Sequence, residues 1–61
     1  GENEKRILSL IAENPYITIP EIAESLDIST TAVENNIKKL KQKGLLRRVG
    51  PAKGGHWEVA A

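Results

Sequence analysis

The residues able to do chemistry crowd into the second half of the chain. Lys38, Lys39, Lys41, Lys43, Arg47, Arg48 and Lys53 follow one another with no acidic residue between them. Residues 37–61 hold seven basic residues against one acidic, Glu58, a net charge of +6, whereas residues 1–36 hold two basic against seven acidic, a net charge of −5. The total of +1 hides this asymmetry. A basic surface on an otherwise acidic domain suits phosphate, because each phosphate neutralised by Lys or Arg releases condensed counterions. Against this stands the plain alternative of a solvated, lysine-rich helix end.

Other chemistries find little support. His56 is the only histidine and there is no cysteine, so the usual zinc ligand sets cannot be assembled and no metal site is expected. Ser29 has no activating base in view and reads as a helix cap rather than a nucleophile. The run GPAKGG, residues 50–55, lacks the spacing of a phosphate-binding P-loop and has no helix after it. A chain of 61 residues buries only about 60% of the surface it exposes when unfolded, leaving little room for a shaped catalytic cavity. No catalytic residue, cofactor or enzymatic activity is therefore expected. No apolar run approaches the ~20 residues that cross a bilayer, and no signal peptide is visible, so no membrane partner is expected.

The elements that must position the basic residues are marked by caps and periodicity. Ile7, Leu8, Leu10 and Ile11 give a one-sided helix over about residues 3–13, with Asn3 as its cap, Asn14 in a left-handed C-terminal position and Pro15 as a stop. Thr18 and Glu21 form a T-x-x-E capping box with Pro20 in the first turn, opening a short helix that buries Ile22, Ala23 and Leu26 and ends near Leu26. Ile17 either staples back onto Ile22 or makes a short strand. Asp27 and Ile28 form a tight turn, and Ser29 caps a third helix running to about Lys43, with Val33, Ile37 and Leu40 on one face and Gly44 as the stop. The period then changes to that of a strand. LLRRV and HWEVA flank the six-residue loop as a hairpin, with Pro51 in the turn and Gly54 and Gly55 supplying positive φ. Trp57 and Val59 face one way and His56 and Glu58 the other. Trp57 is expected in the core rather than as a base-stacking platform, and Tyr16 as a partly buried loop aromatic.

Three helices with a three-residue turn between the second and third, followed by a basic hairpin, are the parts of a winged helix-turn-helix. The expected fold class is mainly α with a small hairpin (α+β), its wing two- or three-stranded. The small Ala23 allows the second and third helices to approach closely.

The stretches ISTTAVENNIKKLKQKGLL and RVGPAKGGHWEV resemble the C-terminal winged helix of RecG-related transcriptional regulators of bacteria and archaea. They are also similar to the winged helix of Fic-family proteins and, more loosely, to metalloregulator, Lrp-type and MarR-type repressors. The resemblance implies a double-stranded DNA-binding module of a prokaryotic, cytoplasmic regulator. Residues 1–61, which begin at Gly1 and contain no Met, are read as a single domain from the C-terminal end of a larger protein, with dimerisation left to the rest of the parent.

In such domains the residues after the serine cap face the groove, which here means Thr30, Thr31, Glu34, Asn35 and Lys38. Helical spacing agrees, since they lie away from Val33, Ile37 and Leu40. Ser29 can offer a phosphate its hydroxyl or the helix N-terminus. Asn35 can pair with adenine, and Thr30 or Thr31 can touch a thymine methyl. Lys38, Lys41, Arg47, Arg48 and Lys53 would meet phosphates. Two departures stand out. Asp27 replaces the glycine usual in relatives, and Thr30 and Glu34 stand where relatives often carry Arg or Lys. Glu34 either accepts from cytosine N4 and confers selectivity, or weakens DNA contact and turns the helix toward a protein partner or a dimer.

Overall fold

A computed structural model describes residues 1–51 and 53–60 of the chain. Helices α1 (Glu2–Glu13), α2 (Ile19–Leu26) and α3 (Thr30–Gln42) precede strands β1 (Leu46–Val49) and β2 (His56–Val59). This is the winged helix arrangement, with a two-stranded antiparallel wing in which Leu46 pairs with Val59, Arg47 with Glu58, Arg48 with Trp57 and Val49 with His56.

The core is one cluster in which every element takes part. Ile7 and Ile11 come from α1, Ile22 and Ala23 from α2, Val33, Ile37 and Leu40 from α3, and Leu46 and Trp57 from the wing, with Ile17 entering from the α1–α2 connection. Trp57 lies in the core as its size demands, whereas Val59, on the same side of β2, sits near the strand end and is exposed. Leu26 is only half-buried, at the margin of the stripe it was expected to complete.

The first helix begins earlier than its sequence suggests. Gly1, not Asn3, is the cap, and the Gly1 nitrogen donates to Glu4 Oε2 at 2.9 Å. Glu4 at the third helical position reaches back to that nitrogen, as the acidic member of a capping box does, so the turn containing Asn3 is already helical. Asn14 is extended (φ −141°, ψ 93°) rather than left-handed, because its Oδ1 accepts from the Tyr16 N–H at 3.1 Å and so closes an Asx-turn over Pro15.

The second helix follows its sequence closely. Thr18 Oγ1 accepts from the Glu21 N–H at 3.3 Å while Glu21 Oε1 accepts from the Thr18 N–H at 2.9 Å, and this last bond holds the Glu21 carboxyl below its ordinary pKa. Ile17 and Ile22, on either side of the cap, are both buried, the pairing expected of a hydrophobic staple. Asp27 is left-handed (φ 54°, ψ 47°), and the Ile28 N–H bonds Ala23 O at 3.0 Å, closing the Schellman turn that reverses the chain into α3.

Gly44 (φ 74°) ends α3 in the same way, with the Leu45 N–H bonded to Leu40 O at 2.9 Å. In the wing loop the positive φ values belong to Gly50 (85°) and Gly54 (83°), not to Gly55. Gly55 is required for a different reason. A Cβ there would collide with the Pro51 carbonyl and come within 2.6 Å of the Val49 carbonyl.

No third strand forms among the described residues, but the free edge of β2 is not bare. The Trp57 N–H donates to Pro15 O at 2.8 Å and its indole Nε1–H donates to Ile17 O at 3.0 Å, so the α1–α2 connection covers that edge.

Candidate nucleic-acid interface

The position of α3 is over-determined. Ser29 Oγ accepts from the Ala32 N–H at 3.1 Å and fixes the helix start. Val33, Ile37 and Leu40 lock one face into the core. At the far end Lys43 Nζ lies 2.8 Å from Glu4 Oε1, tying the end of α3 to the start of α1. With these constraints the opposite face must point to solvent, and Thr30, Thr31, Glu34, Asn35, Lys38 and Lys41 are all exposed.

Helical spacing divides these residues into two rows. Thr31, Asn35 and Lys38 lie directly opposite the core. Gln42, also exposed, continues that row at the i, i+4, i+7, i+11 spacing from Thr31, a signal legible in the sequence that the expected set of groove residues does not include. Thr30, Glu34 and Lys41 lie on the flank nearer the wing. Glu34, Lys38 and Lys41 line one open groove of about 270 Å³ with Ile19, Ile37 and Trp57. Glu34 is thus set beside two lysines rather than isolated among them.

The basic residues do not form one uniform surface. Lys43 turns away to Glu4, whose carboxyl it holds well below the usual carboxylate range, at about 2, with the Gly1 nitrogen adding to the effect. Arg47 pairs across the strands with Glu58, Nη2 to Oε1 at 2.8 Å, both side chains well exposed. Lys41 and Arg48 converge on Trp57: Lys41 Nζ is 5.6 Å and Arg48 Cζ 4.8 Å from the ring centroid. Lys53 is exposed in the wing loop. Ser29 is also exposed, but its hydroxyl is already engaged as the cap.

One aromatic placement and one aromatic role depart from the reading of the sequence. Tyr16 is 66% exposed rather than partly buried, with its ring tilted against His56 at 5.7 Å between centroids. Trp57, buried as expected, is also the surface on which two of the basic residues rest, a role that neither spacing nor composition signals. Among the described residues there is no group of three His, Cys, Asp or Glu that could hold a metal, and no helix is long and apolar enough to cross a membrane.

A helix exposed along one face and a three-residue turn before it meet their match at the level of family. The model of winged helix-turn-helix DNA-binding domains matches residues 2–47. The chain belongs to that family. Among curated proteins it is 46% identical over 43 residues to the HTH-type transcriptional repressor CsqR of Escherichia coli (strain K12), covering 70% of this chain and 16% of that protein. It is 31% identical over 48 residues to the HTH-type transcriptional regulator GolR of Listeria innocua, covering 79% of this chain and 19% of that protein. It is 36% identical over 59 residues to the HTH-type transcriptional regulator LrpA of Pyrococcus horikoshii, covering 90% of this chain and 42% of that protein. The chain therefore spans less than half the length of these relatives. No solved structure matches it. The winged helix domain described here is a DNA-binding domain whose relatives are transcriptional regulators.

Proposed function

We propose that this domain binds duplex DNA with α3 in the major groove and the β1–β2 hairpin on the phosphate backbone, as the DNA-binding part of a prokaryotic transcriptional regulator. The observation that carries this reading is the fixed presentation of α3, buried through Val33, Ile37 and Leu40 and exposed through Thr30, Thr31, Glu34, Asn35 and Lys38. A major groove about 12 Å wide admits one such helix. In this reading Asn35 and the two threonines meet base edges, Glu34 accepts from cytosine, and Ser29, Lys38, Lys41, Arg47, Arg48 and Lys53 meet phosphates.

The similarity to bacterial and archaeal regulators supports a cytoplasmic, non-enzymatic role for this part of the parent protein. A place at the C-terminal end of a RecG-related or Fic-type protein, with dimerisation through the rest of the parent, is the reading of its context that the sequence resemblance favours. The parent sequence upstream of Glu2 tests it.

Titration of a fluorescent duplex with the domain at several salt concentrations tests the DNA reading. Engagement of about 4–5 phosphates gives a log–log salt slope of about −4, and a lone domain in the non-specific mode binds with Kd on the order of 10⁻⁴–10⁻⁶ M. Lys38→Glu should abolish binding. The exposed carboxylate of Glu34, midway along the helix, favours a second reading in which α3 meets a protein partner or a second copy. That reading gains if the domain self-associates and the duplex leaves it unaffected.

A further inference from the structure

Trp57 holds the basic ends of two different elements. Lys41 projects from the last turns of α3 and Arg48 from β1, yet both cations lie over the same indole ring, at 5.6 and 4.8 Å from its centroid. The ring cannot drift. Its Nε1–H is bonded to Ile17 O at 3.0 Å, its backbone N–H to Pro15 O at 2.8 Å, and the residue is 7% exposed. Tryptophan offers the strongest cation–π face of the three aromatic residues, so the ring draws in two like charges that would otherwise repel. A guanidinium over a ring keeps its donors in its own plane, where they suit the fork geometry of phosphate.

We infer that Trp57 is a positioning residue for phosphate binding: it gathers Lys41 and Arg48 into one unit, so that α3 and the wing grip neighbouring phosphates of the same strand together. The inference rests on the duplex-binding reading above and deepens it. Two independent lysine or arginine contacts contribute separately to affinity. A gathered pair does not, because once either cation is lost the strand is no longer held at both points beside the ring, and the remaining contact is weakened with it. Trp57 thereby links the helix that enters the groove to the hairpin beside it.

The test is a double-mutant cycle on duplex affinity with Lys41→Ala, Arg48→Ala and the pair, repeated in a Trp57→Leu background. In the native background the double variant should lose about fivefold less affinity than the product of the single losses. In the Trp57→Leu background the two losses should multiply, while Trp57→Phe, which keeps a ring, should restore part of the coupling. Thermal melts show which variants are folded at the temperature of binding.

Where Trp57→Leu does not fold, the native domain still decides the matter. The emission of Trp57, the only tryptophan in the chain, should change on duplex binding with the same midpoint as anisotropy, and should stop responding when Lys41 and Arg48 are both glutamine. Multiplicative losses in the native background, or an indole signal indifferent to both cations, would overturn the inference and leave duplex binding standing. Failure of the native domain to bind any duplex would overturn the reading beneath it as well.

Discussion

Lys43 Nζ donates to Glu4 Oε1 at 2.8 Å, joining the end of α3 to the first turn of α1 across 39 positions of sequence. The Glu4 side chain is only 11% exposed whereas that of Lys43 is 54% exposed, so the contact is a carboxylate sunk against the protein and reached by a flexible cation. It ties the end of α3 to the start of α1, while the buried face of Val33, Ile37 and Leu40 seats the helix itself.

The pH dependence of stability follows from that pair. The Glu4 pKa falls from 4.5 to about 2 on folding, chiefly through the Lys43 hydrogen bond. A carboxyl with a depressed folded pKa contributes stability that is fully present above the unfolded value and is lost as pH falls through the folded one. The native domain should therefore lose thermal stability between about pH 4.5 and pH 2. Glu4→Gln should melt lower than native at pH 7 and about equal to it near pH 2. Parallel melting curves across that range would show that the pair contributes nothing.

The caps of α2 and α3 are the next weak points. Ser29→Ala removes the acceptor for the Ala32 N–H, and Thr18→Ala removes that for the Glu21 N–H. Each should cost about 1 kcal/mol. In a domain of this size that corresponds to a fall in Tm of roughly 4–8 °C. Replacement of Ser29 by Asp, which also caps, should recover most of the loss. If Ser29→Ala melts with the native domain, the cap is not limiting.

Gly55 constrains the turn within the wing. A methyl group at this position would meet the Pro51 and Val49 carbonyls, which are backbone and cannot swing aside. Gly55→Ala should cost on the order of 1–3 kcal/mol. Amide shifts should be largest at residues 48–57 and small in α1. Gly54, whose Cβ would enter open space but whose φ is 83°, should tolerate Asn better than Val.

Affinity for duplex should rise when Arg47 is released. Its partner Glu58 is held at 2.8 Å in an exposed pair, and such pairs contribute about 0–1 kcal/mol to folding. Glu58→Gln should leave Tm nearly unchanged while strengthening duplex binding about two- to fivefold at low salt and steepening the salt slope by up to about one unit. Unchanged affinity would place Arg47 off the DNA path.

The sequence carried most of this fold because its signals are local. The Thr18–Glu21 box, the Ser29 cap, Gly44 and the spacing of Val33, Ile37 and Leu40 each depend on residues within one or two turns, and each appears where it was expected. Asp27 tolerates the left-handed turn that glycine would otherwise fill. The misplaced features involve a partner or a turn geometry that hydrophobic spacing does not encode. Asn3 was passed over as a cap because Glu4 reaches back to Gly1, and Asn14 stays extended because its side chain bonds the Tyr16 N–H.

For the candidate interface, residue spacing alone settles which residues of α3 reach solvent, since a helix with one buried stripe must expose the opposite one. The order of residues also shows that positive charge gathers in residues 38–53. How that charge is partnered depends on the packed fold. Lys43 goes to Glu4, Arg47 to Glu58, and Lys41 and Arg48 to the face of Trp57. These pairings join residues from 9 to 39 positions apart, and they form because packing one small core brings the ends of α1, α3 and the wing together. Charge is legible residue by residue, but its partners are set by the whole fold.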